Sequence, residues 1–293
     1  MFKGSIVALI TPMTSSGEVD YASLQKLVQF HIENGTDAIV SVGTTGESAT
    51  LPVEEHVEVV KKTVEFSEGK IPVIAGTGAN STQEAIELGE AMNGLGVVGL
   101  LSVVPYYNKP QQKGMVAHFK AIADAANVPV ILYNVPFRTA ADLSNAAVQE
   151  LAKHPNIVGI KDATGDLNRL TQLQSIVDDD FVILSGDDAS SCDFLNLGGH
   201  GVISVTANIA PLQIKQMCVA AAAGEKSKAE EINASIAELH TTLFIEPNPV
   251  IPKWALQYMG LIESSELRLP MVQPEVESQA VVSKLLHDLG IVA

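Results

Sequence analysis

A single lysine, Lys161, closes the apolar run Ile157-Val158-Gly159-Ile160. An amine at the mouth of a closed apolar strand is poorly hydrated, which favours its neutral form, and a neutral amine attacks a carbonyl carbon to form a Schiff base. Position alone leaves the alternative of a structural lysine paired with a strand-end carboxylate. Tyr133 and Tyr107 carry phenols that can move protons, with Thr44 as a hydroxyl relay. A phenol does this near neutrality only when tuned or coupled to a neighbour, and a packed tyrosine with a satisfied hydroxyl is the plainer reading of either one. The stretch GTTGES at 43–48 offers backbone amides and hydroxyls at a helix start, which suits carboxylate or phosphate oxygens. It lacks the lysine of a nucleotide-binding P-loop, and an ordinary turn has the same composition. Arg138 is able to hold a carboxylate bidentately or to form a surface ion pair. Asp187 and Asp188 have no histidine or further carboxylate beside them, so loop and cap roles are expected and no metal is called for.

These residues acquire a common location from the elements that carry them. Eight short apolar runs recur, at 5–12, 38–43, 72–76, 97–105, 129–136, 157–161, 181–186 and 201–206. Most are rich in Val and Ile and do not alternate with polar residues, the pattern of strands buried on both faces in a parallel sheet. Helical stripes lie between them: Leu24, Leu27, Val28 and Ile32; Val53, Val57, Val60 and Val64; Met115, Phe119 and Ile122; Ile214, Met217, Cys218 and Ala221. Asp20 is placed to cap the first helix, Ser81 with Glu84 fits a capping box, and Pro52 suits a first turn. The alternation predicts an α/β fold, a TIM (β/α)8 barrel. An open doubly wound sheet is the competitor, but Thr11-Pro12-Met13-Thr14 after the first run is no phosphate cradle. In a barrel, C-terminal strand ends converge on one mouth, and Thr11, Thr44, Tyr106 and Tyr107, Tyr133, Lys161, Gly186 and Ile203 all sit at or just beyond such ends. Beyond the eighth unit the stripes Ile232, Ile236, Leu239, Leu243 and Val281, Val282, Leu285, Leu289 continue with no strand between them. The expected division is therefore a barrel over 1–224 and a helical C-terminal extension over 225–293.

Length and composition agree with this. The chain has 293 residues, 46% of them hydrophobic, enough for one barrel of about 250 residues plus an appendage. A formal net charge of −16 argues against a nucleic-acid partner, which needs a basic face. Cys192 and Cys218 are too few for a disulfide framework and form no CxxC motif, so a reducing cytoplasm is expected. The run Ile6 to Ile10 is too short for a signal peptide, and no apolar run reaches the roughly 18 residues of a membrane span.

At these residues the chain resembles the dihydrodipicolinate synthase family. The resemblance rests on GTTGES at 43–48, PYYN at 105–108, YNVPFRT at 133–139, GIKDATG at 159–165, LSGDD at 184–188 and GGHGVISVTAN at 198–208, in order over essentially the whole chain. It implies a homotetramer, a dimer of dimers, that condenses pyruvate with L-aspartate 4-semialdehyde in lysine biosynthesis, without metal or diffusible cofactor. Lys161 would form the pyruvate Schiff base. Tyr133, Thr44 and Tyr107 would relay protons, Tyr107 reaching in from a neighbouring subunit. Thr45 would hold the pyruvate carboxylate, Arg138 the aldehyde's carboxylate, and Gly186 and the Ile203 carbonyl would lie beside the substrate and lysine. Feedback inhibition by L-lysine in such enzymes implies a second site at Ser48, Ala49, His56, Gly78, Asn80, Glu84 and Tyr106. Val53 departs from the larger polar or aromatic residue typical there, which implies weaker inhibition. Related pyruvate-Schiff-base aldolases, such as sialic acid lyases or keto-deoxy sugar acid aldolases, would share the lysine, the tyrosine at 133 and the Gly-rich loop, whereas Arg138 and Tyr106-Tyr107 favour the synthase. A catalytically silent barrel that binds a keto or amino acid would be expected to lose the lysine or the relay.

Overall fold

A computed structural model describes residues 2–292. Strands and helices alternate as β1 (Gly4–Ala8), α1 (Tyr21–Glu33), β2 (Ala38–Ser41), α2 (Val53–Ser67), β3 (Val73–Gly76), α3 (Thr82–Ala91), β4 (Gly99–Val103) and α4 (Gln112–Ala125). Then come β5 (Val130–Asn134), the short α5 (Pro136–Thr139), α6 (Asn145–Leu151), β6 (Ile157–Asp162), α7 (Leu167–Gln174), β7 (Val182–Ser185), α8 (Ser191–Asn196) and β8 (Gly201–Ser204). A 3₁₀ turn (Thr206–Asn208) leads into α9 (Pro211–Ala222), α10 (Lys226–Thr242), α11 (Val250–Tyr258) and α12 (Val276–Asp288). The eight strands are parallel and close in sequence order, with β8 pairing back onto β1 through Gly4–Gly201 to Val7–Ser204. The fold is the (β/α)8 barrel that the alternation predicts.

The two apolar faces of each strand go to different cores. Ile6, Ala8, Val40, Ile74, Leu101, Ile131, Tyr133, Leu184 and Ile203 meet inside the barrel. Their alternating neighbours Val7, Ile39, Ala75, Leu100, Leu132, Ile160, Ile183 and Val202 join the larger core between barrel and helices. This double burial is why the runs read as continuous rather than alternating. Most predicted runs overshoot the C-terminal strand ends, because the chain stays apolar as it turns into the mouth; the sixth falls one residue short, since β6 includes Asp162.

One predicted stripe is corrected. Val60 of that stripe is buried and Val57 and Val64 pack partly buried against the core, but Val53 is 62% exposed, and the buried face of α2 extends over His56, Val59, Thr63 and Ser67. The buried polar groups are satisfied: His56 Nε2 bonds the Gly76 carbonyl at 2.7 Å, and the Thr63 hydroxyl meets Ser41 Oγ at 3.0 Å and the Val59 carbonyl at 2.8 Å. A face carrying satisfied polar groups packs as well as an aliphatic one, so counting valines rotated the helix. Asp20 caps α1 as expected, accepting the Ala22 and Ser23 amides. Ser81 accepts the Glu84 amide, but among the described residues the Glu84 carboxylate makes no return bond, so half of the expected box forms. Pro52 takes the cap position just ahead of α2.

Candidate active site

β5 and β6 run side by side with Tyr133 opposite Lys161 and Asn134 opposite Asp162. Strand alternation sends each pair to opposite faces. The Lys161 and Tyr133 side chains meet inside the barrel, both buried, with the ammonium nitrogen 4.3 Å from the phenol ring centroid. Asn134 and Asp162 face the helices, where Arg169 of α7 gathers them. Arg169 Nε lies 2.7 Å from Asp162 Oδ2, and Asn134 Nδ2 donates to the same oxygen at 3.1 Å and to Asp142 Oδ1 at 2.8 Å. The carboxylate beside Lys161 in sequence is thus taken by an arginine behind the sheet. Among the described residues Lys161 has no ion-pair partner, while the neighbouring Asp162 is paired with Arg169.

Gly186, one residue past β7, makes room for the lysine. A Cβ built there would lie 2.6 Å from Lys161 Cε and 2.9 Å from Ala163 Cβ, so a larger residue would push the lysine stem aside. Ile203 ends the interior cluster on β8. The β8 end is gripped by Asp188, which accepts the Ser204 hydroxyl and the Val205 and Thr206 amides at 2.9 and 3.1 Å. Asp187 accepts the Ser190 amide and hydroxyl at 3.0 and 2.6 Å. Both aspartates therefore have the loop and cap roles expected of them, and no cluster of three or more metal-ligating side chains occurs among the described residues.

The 43–48 loop is strained and held from several sides. Val42 and Glu47 have φ of 53° and 59°, a left-handed conformation that costs a non-glycine residue roughly 1–2 kcal/mol. The Thr11 hydroxyl donates to the Gly46 carbonyl at 2.7 Å. Asn248 Nδ2 donates to the Thr45 hydroxyl at 3.0 Å, and the Asn248 carbonyl accepts from Arg138 Nη2 at 3.4 Å. Glu47 is buried and bound by the equally buried Lys253 of α11 at 2.5 Å, while its second oxygen accepts the Arg268 amide at 3.1 Å. Burial pushes the Lys253 ammonium below its ordinary range, and the Glu47 charge opposes that fall.

Thr44, Ser48, Ala49, Gly78, Tyr106 and the exposed Arg138 line one cavity of 310 Å³, with Pro270 and Met271 on its rim. Lys161, Tyr133, Thr45, Gly186 and Ile203 are not among its lining residues. Among the described residues no hydrogen bond joins Thr44 to the Tyr133 phenol, and Tyr107 stands 88% exposed with φ 73°. Of the residues implied for an effector, His56 is buried against Gly76, the Asn80 carbonyl accepts from Asn108 Nδ2 at 2.9 Å, and Glu84 is exposed. Sequence reasoning missed Asn248, Lys253 and Arg169, which contact the site's loops from distant elements.

Comparison with known proteins agrees with this arrangement. A sequence profile of the Dihydrodipicolinate synthetase family matches residues 1–289. A 4-hydroxy-tetrahydrodipicolinate synthase of Pseudoalteromonas atlantica is 65% identical over 293 residues, covering all of both chains. The crystal structure of a chloride-inhibited dihydrodipicolinate synthase from Acinetobacter baumannii complexed with pyruvate superposes with a TM-score of 0.98 at 50% identity, covering 100% of each chain. A dihydrodipicolinate synthase from Cyanidioschyzon merolae with lysine bound gives 0.96 at 38% identity, covering 99% of each. With a lysine free of ion pairs inside a closed barrel and matches that span nearly its whole length, the chain belongs to the dihydrodipicolinate synthetase family.

Proposed function

We propose that this chain condenses pyruvate with L-aspartate 4-semialdehyde to 4-hydroxy-tetrahydrodipicolinate through a Schiff base on Lys161. The observation that carries the reading is the buried Lys161 amine, without an ion-pair partner and 4.3 Å from the Tyr133 ring. The amine attacks the keto carbon of pyruvate, water leaves, and the imine becomes an electron sink that lets a methyl proton depart. The resulting enamine carbon attacks the aldehyde. Ring closure then returns the lysine. Thr45 holds the pyruvate carboxylate, Arg138 the aldehyde's, and Tyr133, Thr44 and Tyr107 move protons. Gly186 and the Ile203 carbonyl border the reacting lysine. No metal or diffusible cofactor enters this chemistry. The name and full-length match of the Pseudoalteromonas relative favour this reading over a sugar-acid aldolase. Supplying pyruvate with L-aspartate 4-semialdehyde, or with sugar-derived aldehydes, tests it: consumption of the semialdehyde alone is expected, and preference for a sugar aldehyde would overturn it.

The working assembly we propose is a homotetramer built as a dimer of dimers, in the cytoplasm. Tyr107 stands exposed beside Tyr106, and the exposed Leu269 and Val272 flank the rim residues Pro270 and Met271. Such an apolar patch at a cavity mouth fits an interface, and across it Tyr107 would enter the neighbour's site. We further propose weak inhibition by L-lysine at Ser48, Ala49, His56, Gly78, Asn80, Glu84 and Tyr106. The lysine-bound relative supports the ligand, and the small apolar Val53 supports the weakness. Turnover is expected to fall at millimolar L-lysine, and Val53→His to increase the inhibition; turnover unchanged in both proteins contradicts the site.

A further inference from the structure

Lys253 is fully enclosed, takes no part in the chemistry above, and comes from a helix 206 residues away from its partner Glu47. For stability alone this is a poor choice. Desolvating two charges offsets much of their attraction, and apolar residues of equal volume commonly serve as well or better. What an ion pair adds is direction, because the Glu47 carboxylate meets the Lys253 amine with one oxygen and the Arg268 amide with the other. That placement fixes a left-handed residue two positions beyond Thr45 and three beyond Thr44. Strained backbone persists where its surroundings over-determine it. Here the surroundings are the Lys253 amine, the Arg268 amide and, on Thr45 itself, the Asn248 side chain. Arg268 is anchored in turn by Glu55, through Nη1 and through Nη2 at 2.9 Å, and by the Gly17 carbonyl. Helix α11 and the segments flanking it therefore grip the loop that carries two of the proposed reacting hydroxyls.

We infer that Lys253 is a positioning residue whose buried pair with Glu47 sets the Thr44–Thr45 turn in the barrel mouth. This rests on the reading of Thr45 as the pyruvate-carboxylate contact. The test is the double variant Glu47→Gln with Lys253→Met, which leaves no unpaired charge, measured beside wild type for thermal midpoint, pyruvate KM, kcat and borohydride trapping. The expected result is a near-wild-type midpoint, pyruvate KM raised about tenfold or more, kcat lowered several-fold, and trapping at Lys161 retained at saturating pyruvate. A folded variant with KM and kcat within about twofold of wild type overturns the inference, making the pair structural only. Should the double variant fail to fold, Glu47→Gln alone gives the answer, since it keeps the side chain's shape. A raised pyruvate KM that depends on pH where the wild-type KM does not supports positioning, and an unchanged KM overturns it. If wild type itself neither traps nor turns over pyruvate, the functional reading fails and takes this inference with it; if wild type does both and the variants match it, this inference alone fails.

Discussion

Gly186 is the residue on which the geometry of the proposed nucleophile depends most narrowly. Its missing side chain is space that the Lys161 stem occupies, with 2.6 Å between a built Cβ and Lys161 Cε. Gly186→Ala must therefore displace the amine or the strand end. Displacements near 1 Å can cost about 100-fold in rate, so kcat/KM for pyruvate is expected to fall by roughly that factor while the fold is kept. Wild-type kinetics in this variant would mean that the lysine is not held where it reacts. Lys161, Tyr133 and Thr44 stood out as candidates in the sequence because each lies at or near the end of an apolar run and carries a reactive group. Arg169 and Asn248 did not. Their importance comes from contacts with Asp162 and Thr45 across the fold, and no local pattern in a single chain reports such contacts.

At the scale of elements, strands were easier to read than helix faces. A strand buried on both sides shows as a continuous Val/Ile run whatever it packs against. The buried face of α2 is partly polar, and its valine at 53 is exposed, so periodicity placed that face off-centre while still catching Val60. Buried histidines on helices also make a thermodynamic prediction. His31 of α1 is fully buried, with Nδ1 3.0 Å from the Thr36 hydroxyl and Nε2 unpartnered among the described residues, and burial pushes it down to about 3. His118 of α4 is pushed down to about 4 by the same cause. Both are neutral in the folded chain and protonate near 6.5 when unfolded. Stability is thus complete above about pH 6.5 and declines as pH falls toward 4, by about 1.4 kcal/mol per pH unit for each histidine. Denaturant unfolding at pH 7 and pH 5 is expected to show this loss, and His31→Gln to remove the share of that one histidine, leaving those of His118 and of His56, His200 and His240, which burial also pushes down. An unchanged pH slope in that variant would contradict the assignment.

For the whole molecule, the proposed assembly has Tyr107 complete the site of a neighbouring chain. Tyr107 is 88% exposed on a left-handed backbone. If it serves a neighbour, two inactive variants should complement each other. A co-assembled Lys161→Ala and Tyr107→Phe mixture would contain sites with an intact lysine and a partner's intact tyrosine, restoring about a quarter of wild-type activity for random pairing of two-fold dimers. Activity no greater than the sum of the separate variants would show that Tyr107 acts within its own chain or not at all. The closed eight-stranded order followed from the count and character of the apolar runs. The grip of the C-terminal segment on the 43–48 loop did not, because Lys253 lies 206 residues from Glu47 and no local pattern links the two.

The proposed chemistry depends on the reactivity of one amine, so the most direct measurement is mass spectrometry after treating the protein with pyruvate and borohydride. A single reduced pyruvate adduct mapped to Lys161, absent from Lys161→Ala, is the predicted result. A folded protein with no adduct, or with the adduct on another lysine, would contradict it.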